Sequence, residues 1–341
     1  MQTIHLANGL RSKGMKVSLL TFRPGGDLAN KVQVPWSVLQ SVDTQLNWWA
    51  PNITRKVGAI APDVVILMGR EANSQGYKLR KAFPDLRLIC TLRTGRKLPI
   101  GYRKSLLCSD LVITNSEWAK KRLIGLFPTL DNRCAVIKNG CVHRFDYEKR
   151  NQHRPSFRKR FNLTDETTVY LMVASFRRGK NHKQLLDIFS HHTGNWELWL
   201  VGDGNEKSKI SKDLYNSNIR PNTRTLHQIP ELSAAYFGAD IALLPSLEES
   251  LPNFLVESQN CGLPVVAYDT AGVSETFIDK ESGFLVPQND INDFRDKVMK
   301  LQENQSLRKK MGLKAREWAL SEFNSDDRLN DYLKLLQNNS I

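Results

Sequence analysis

The feature that most constrains this chain is an alternation, sustained over nearly its whole length, of short apolar runs and segments with helical spacing. Apolar runs at 17–22, 64–68, 87–92, 111–114 and 135–137 are strand-sized. Stretches at 3–13, 53–60, 72–83, 101–109 and 116–126 fall beside them with apolar residues on one helical side. The alternation then breaks at 139–155, which is polar and basic (Arg144, Lys149, Arg150, His153, Arg154) and is expected to be an interdomain linker. It resumes with strands expected at 169–174, 197–201, 223–226, 241–244, 265–267 and 283–286, before a helix-rich tail over 290–338. Apolar runs separated by helices predict parallel strands covered on both faces, an α/β doubly wound plan. A length of 341 residues accommodates two such cores. Ser116 is expected to cap a helix, with Glu117 in its first turn.

Charge is unevenly spread. Residues 1–150 hold 25 Lys and Arg against 10 Asp and Glu, a net +15, whereas 151–341 hold 24 against 25, a net −1. A basic half next to a neutral one predicts an anionic partner, and an anionic membrane surface is the expected one. No nucleic-acid module is recognisable, so a nucleic-acid partner is not expected. No apolar run approaches the ~18 residues of a membrane span, and no secretory leader is evident. The five cysteines, Cys90, Cys108, Cys134, Cys141 and Cys261, are scattered without zinc spacing and are expected to be reduced. A cytoplasmic protein, peripheral at the inner face of the plasma membrane, is the expectation. His5 and His143 are expected at the surface or as satisfied core groups, and Trp48 and Trp49 in the core.

The segment from Leu243 to Ala267 carries the sharpest chemistry. It predicts a strand ending near Pro245, a polar loop holding Glu249, a short helix from Asn253 to Cys261 holding Glu257, then Gly262 and a buried strand. Ligands of parallel sheets sit beyond the carboxyl ends of strands. There a helix N-terminus offers unpaired N–H groups and partial positive charge, a setting for a diphosphate. Pro252 lacks an N–H, so Leu251, Asn253, Phe254 and Leu255 are the expected backbone donors, with Ser250 beside them. A second constellation, Val173 to His182, also follows a strand and opens a helix. Its Arg177 and Lys180 suit a leaving group that gains negative charge as a bond breaks. The turn Val201-Gly202-Asp203-Gly204 is too short a signal for a nucleotide site and is expected to be structural.

The spacing Glu249-x7-Glu257, in the context Glu-Ser-Leu-Pro-Asn-Phe-Leu-Val-Glu, resembles the signature of retaining glycosyltransferases of family 4. The likeness continues through 271–275 and 282–287, is strong over 168–290, and is looser before 150, where 114–117 and 137–140 fit. It implies a GT-B fold, with two Rossmann-like domains facing across a cleft. Residues 1–150 would form the acceptor side, 151–320 the nucleotide-sugar domain, and 321–341 a helix crossing back. It implies transfer of a sugar from a UDP- or GDP-sugar to a carbohydrate or lipid-linked acceptor, with retained configuration, in envelope polysaccharide or lipopolysaccharide synthesis. Glu249 would contact the donor sugar and Glu257 the ribose. Arg177 and Lys180 would face the diphosphate, and the base would lie near Ile229. The nucleotide-sugar is a substrate, and neither cofactor nor metal is implied.

Two departures from the family pattern stand out. The chain opens on a helix, without the first strand and glycine-rich turn of such domains. Nucleotide binding with poor transfer is therefore one expectation, and a non-catalytic partner subunit of this fold is the alternative reading. Many members carry a histidine where this chain has Arg93. With Arg96 and Lys97 it forms a basic run expected on the acceptor side, suited to a phosphate.

Overall fold

A computed structural model describes all residues except Asp27, 142–146, 227–231 and 338–341. The chain divides into two compact units, Met1–Val142 with Ser325–Ile341, and His143–Asn324.

The first unit runs α1 (Gln2–Ser12), β1 (Leu19–Thr21), β2 (Trp36–Val38), α2 (Ile53–Ile60), β3 (Val64–Leu67), α3 (Arg70–Asn73), α4 (Gly76–Ala82), β4 (Arg87–Leu92), α5 (Ile100–Cys108), β5 (Leu111–Thr114), α6 (Glu117–Leu126) and β6 (Cys134–Val136). The anticipated cap forms: the Ser116 hydroxyl accepts from the Ala119 N–H at 3.1 Å. Among the described residues the strands fall into two parallel sheets, β1-β2 and β3-β4-β5-β6. The strand at Leu19–Thr21 therefore does not open the main sheet; it pairs only with β2, a strand too short to show in the periodicity. β3 is left as an edge. Three of its four apolar residues are partly exposed, whereas all of β5 is buried.

The chain elements of the second unit are α7 (Tyr147–Arg160), β7 (Thr168–Val173), α8 (His182–Phe189), β8 (Trp196–Val201), α9 (Lys207–Tyr215), β9 (Thr223–Leu226), α10 (Leu232–Gly238), β10 (Ile241–Leu244), α11 (Asn253–Asn260), β11 (Val265–Tyr268), β12 (Gly283–Val286), α12 (Ile291–Glu303) and α13 (Gln305–Glu322). Its six parallel strands are ordered β12-β11-β10-β7-β8-β9. The chain moves outward one way from β7 and the other way from β10, so the order reverses between these two neighbours. The last helix, α14 (Ser325–Gln337), belongs to the first unit. There it buries Leu329, Tyr332 and Leu336 against Leu10, Ile89, Leu111 and Ile113, a contribution on the order of 5 kcal/mol. Arg87 caps its end by donating to the Leu335 and Leu336 carbonyls at 3.0 and 3.1 Å.

Two expectations need correction here. Much of the interval expected to be a linker is the helix α7. Its arginines face carbonyls at the end of α10, while Phe157 packs in the core. Arg150, Arg154 and Arg158, spaced one turn apart, reach the end of α10. Arg154 donates to the carbonyls of Phe237, Gly238 and Ala239, Arg150 to Ala239, and Arg158 to Gly238. Trp48 and Trp49 are not core residues: they are 63% and 40% exposed on a loop shared with exposed Val42 and Leu46. The expectation for His143 falls outside the described residues. The five cysteines are all free thiols. Burial raises Cys90 to about 12 and Cys134 to about 11, which makes both poor nucleophiles.

Candidate active site

The reversal between β7 and β10 places two loops side by side at the carboxyl ends of neighbouring strands, the usual ligand position in such sheets. One is Ala174–Asn181, after β7. The other is Pro245–Pro252, after β10 and ahead of α11. A backbone bond ties them, from the Leu247 N–H to the Gly179 carbonyl at 2.9 Å. Across this tie the Lys180 ammonium pairs with the Glu249 carboxylate. The Lys180 side chain is 14% exposed and that of Glu249 8%. Two constellations far apart in sequence thus form one charged centre. On these same loops and at the start of α8, three buried polar atoms make no hydrogen bond: Arg177 Nε, His182 Nε2 and Ser246 Oγ. Buried polar groups are nearly always hydrogen-bonded, so each of these atoms is open to a ligand contact.

The Lys180 loop is held from behind. The His182 ring stacks on Phe176, with centroids 4.3 Å apart and planes within 13°. Burial, aided by the Lys180 charge, pushes His182 down to about 4, so it stays neutral and adds no competing cation. The turn after β8 braces the loop. Phe176 N–H donates to the Asp203 carbonyl and Glu206 N–H to the Phe176 carbonyl, each at 2.9 Å. A Cβ at Gly202 would lie 2.1 Å from the Ala174 carbonyl oxygen, and one at Gly204 2.4 Å from that of Phe176. Both positions also have positive φ, so only glycine fits there without displacing the basic loop.

Glu257 lies half-buried on α11, where it accepts from the Tyr236 hydroxyl at 2.7 Å. Burial raises its carboxyl to about 7, against the opposing effect of that hydrogen bond. α11 is firmly seated: Gln259 donates to the Thr276 carbonyl at 2.6 Å, and Arg316 to that of Asn260 at 2.7 Å.

The remaining predicted residues divide. Ser250 and Leu251 are buried in the loop beside Glu249, Asn253 opens α11 exposed, and Phe254 packs in the core. Leu255 needs correction as a donor, because its N–H is already bonded to the Pro252 carbonyl at 3.1 Å and its side chain is fully buried. Ile229 lies outside the described residues. In the first unit, Arg93 is half-buried and donates to Asn139, while Arg96 and Lys97 stand exposed on the next loop. Arg122 fixes that loop through the Thr94 and Arg96 carbonyls, at 2.9 Å each. Arg93 points into a pocket that the other two do not line. Tyr236 was not identifiable from the sequence as part of the site, and Phe176, His182 and Ser246 lay within the two singled-out segments without an assigned role. Their roles arise from contacts between elements, and only the position of His182 just after Lys180 offered a cue.

Comparison with known proteins identifies the family and the fold. The model of the family described as glycosyl transferases group 1 matches residues 153–318, and that of glycosyltransferase family 4 matches residues 1–144. The lipopolysaccharide core biosynthesis glycosyltransferase LpsE of Rhizobium meliloti is 24% identical over 98% of this chain and 94% of its own length. An exopolysaccharide phosphotransferase of Streptomyces coelicolor is 25% identical over 82% of this chain, but the match spans 27% of that protein. The chain spans about half the length of several other relatives. Among solved structures, Anabaena HepE in complex with UDP and glucose superposes with a TM-score of 0.85 at 17% identity, covering 99% of this chain and 95% of that one.

Proposed function

From the premise that this chain belongs to the group 1 and family 4 glycosyltransferases and has the GT-B fold, we propose that it moves a sugar from a UDP- or GDP-sugar to a carbohydrate or lipid-linked acceptor with retention of configuration. The observation that carries the reading is the Lys180–Glu249 pair beside the unpartnered Arg177 Nε, at the point where the strand order reverses. In this reading Arg177 and Lys180 neutralise the diphosphate as the sugar–oxygen bond breaks. The leaving phosphate oxygen takes the acceptor hydroxyl proton, the acceptor oxygen bonds to the anomeric carbon, and nucleoside diphosphate departs. Glu249 orients the donor sugar, and Glu257 accepts from the ribose hydroxyls in place of Tyr236. The N–H groups of Leu251, Asn253 and Phe254 remain the backbone candidates of the loop and helix start, with Ser250 beside them and Ile229 near the base. HepE in complex with UDP and LpsE in lipopolysaccharide core biosynthesis support a nucleotide-sugar donor and an envelope-glycan product. A panel of α-linked UDP- and GDP-sugars, with the product's anomeric proton followed by NMR, tests this. An α-linked product is expected. A β-linked product would refute retention.

The split of the first unit's strands into two sheets, with the apolar edge β3 partly exposed, favours one second reading: a GT-B protein that binds nucleotide without transferring sugar. Tight UDP or GDP binding with no turnover on any donor would select it.

We further assign the basic first unit to an anionic membrane face, in line with a peripheral position at the inner leaflet. Its net charge, and the exposed Trp48 and Trp49 whose rings suit a headgroup region, support this. Among the described residues no helix is long and apolar enough to cross a membrane. The protein is expected to float with anionic but not neutral vesicles, and to lose them at high salt. Equal flotation with both lipids would exclude charge as the cause.

A further inference from the structure

The Glu249 carboxylate is paired with the Lys180 ammonium, the same cation that a diphosphate in this crevice needs. Both side chains are largely out of water, at 8% and 14% exposed, so solvent screens neither charge well. The carboxylate has little room to retreat. Its loop is tied to the Lys180 loop by the Leu247 N–H, which donates to the Gly179 carbonyl at 2.9 Å. On its other side the Thr270 hydroxyl donates to the Ser246 carbonyl at 3.3 Å, and the Gln288 amide to that of Leu247 at 3.4 Å. Arg178 and Glu248, on the same two loops, are exposed and left to water. The charges drawn inward on these loops are therefore Arg177, Lys180 and, against them, Glu249.

This balance meets donor and product differently. The diphosphate of a nucleotide-sugar carries about two negative charges. Once the sugar has left, the terminal phosphate ionises a second time with a pKa of about 6, so the product carries about three at pH 8. The donor also brings sugar hydroxyls that donate to Glu249, whereas the product leaves the carboxylate no partner but Lys180. An ammonium shared between a carboxylate and a diphosphate holds each less well, and like charges repel strongly where exposure is low. We propose that Glu249 makes the crevice discriminate between the intact nucleotide-sugar and the nucleoside diphosphate it becomes, by returning to Lys180 and competing with the product once the sugar has gone. This role rests on the donor reading above and adds product release to it.

Calorimetry on the whole chain tests it, with UDP or GDP as product and the UDP- or GDP-sugar selected by the panel above as donor. Glu249→Gln keeps the shape and removes the charge. It should bind the nucleoside diphosphate roughly tenfold more tightly than the parent does, and the nucleotide-sugar less tightly. The opposite signs are diagnostic, because a residue that only shapes the loop would weaken both on replacement. Glu249→Ala should repeat the gain for the nucleoside diphosphate, and a full complement of binding sites shows that either variant is folded. Glu248→Gln removes the same charge from an exposed position and should move either affinity less than about twofold. Loss of affinity in Lys180→Ala without a gain in Glu249→Gln and Glu249→Ala would overturn this role and leave the donor reading standing. Unchanged affinity in Lys180→Ala would remove both. Equal tightening of nucleotide-sugar and nucleoside diphosphate in Glu249→Gln would also overturn it, since the loss of one negative charge would then be the whole cause.

Discussion

Replacing Arg177 or Lys180 by alanine is expected to lower the rate of sugar transfer roughly a hundred- to a thousandfold each. The reason is where charge develops. A nucleoside diphosphate leaving group gains negative charge in the transition state, and fixed cations in a site of low exposure stabilise that charge more than they stabilise the bound donor. Lys180 is 14% exposed and already turned inward by Glu249, and Arg177 has a buried Nε to engage. The double variant should cost less than the product of the two single losses, because both groups act on one diphosphate. Initial rates at saturating donor measure this. Rates within threefold of the parent in both single variants would remove these residues from the chemistry. Lys180→Ala has a second consequence: it leaves Glu249 buried without its cation, so the carboxylate proposed to orient the sugar loses its ion-pair partner.

The second large effect falls on stability. Asp240 receives Arg154 at 2.6 Å, Arg158 at 3.2 Å and the Val169 N–H at 2.9 Å. Arg158 is almost wholly buried, and burial lowers its pKa while Asp240 opposes that shift. Asp240→Ala would strand two inward guanidinium groups and a strand N–H. Loss of one partner of such a buried pair costs about 3–5 kcal/mol, a large share of the stability of an ordinary domain. Urea denaturation followed by tryptophan fluorescence measures it, since Trp199 packs against Phe157 of α7 and against Phe161 just after it. A midpoint shift worth less than 1 kcal/mol would mean that the arginine ladder against α10 is incidental. Asp240→Ala also tests the reassignment of this interval from linker to helix, because a solvated linker would not respond.

How much of this was legible in the sequence depends on what each element buries. Strands 87–92, 111–114, 241–244 and 283–286 match the structure residue for residue, because each is an apolar run with polar or turn residues at its ends. α7 was not legible. Its periodicity is in arginines, and hydrophobic spacing does not register a helix that packs by donating to carbonyls. β2 was not legible either, being three residues long with an exposed tryptophan at its start. At the site, the strand–loop–helix context and the resemblance to the family signature singled out Glu249, Glu257, Arg177 and Lys180. What they could not show was their partners. The Lys180–Glu249 pair and the Tyr236–Glu257 hydrogen bond join elements that only the strand order brings together. Leu255 was misread for a local reason, because the first turn of α11 closes its N–H onto Pro252.

The crevice between β7 and β10 is proposed to hold the nucleotide diphosphate. Calorimetric titration of UDP and GDP into the parent chain, Lys180→Ala and Glu257→Gln, at pH 8 and pH 6, tests it most directly. At least one nucleotide should bind the parent. Loss of a charge-assisted contact in Lys180→Ala removes about 1.5–3 kcal/mol, roughly ten- to a hundredfold in affinity. The Glu257 carboxyl has a raised pKa of about 7, so it is ionised above that value and neutral below it. If the carboxylate accepts from the ribose, parent affinity should fall about tenfold from pH 8 to pH 6, and Glu257→Gln should abolish that dependence. Binding of either nucleotide that is unchanged in both variants and flat across this range would contradict the claim.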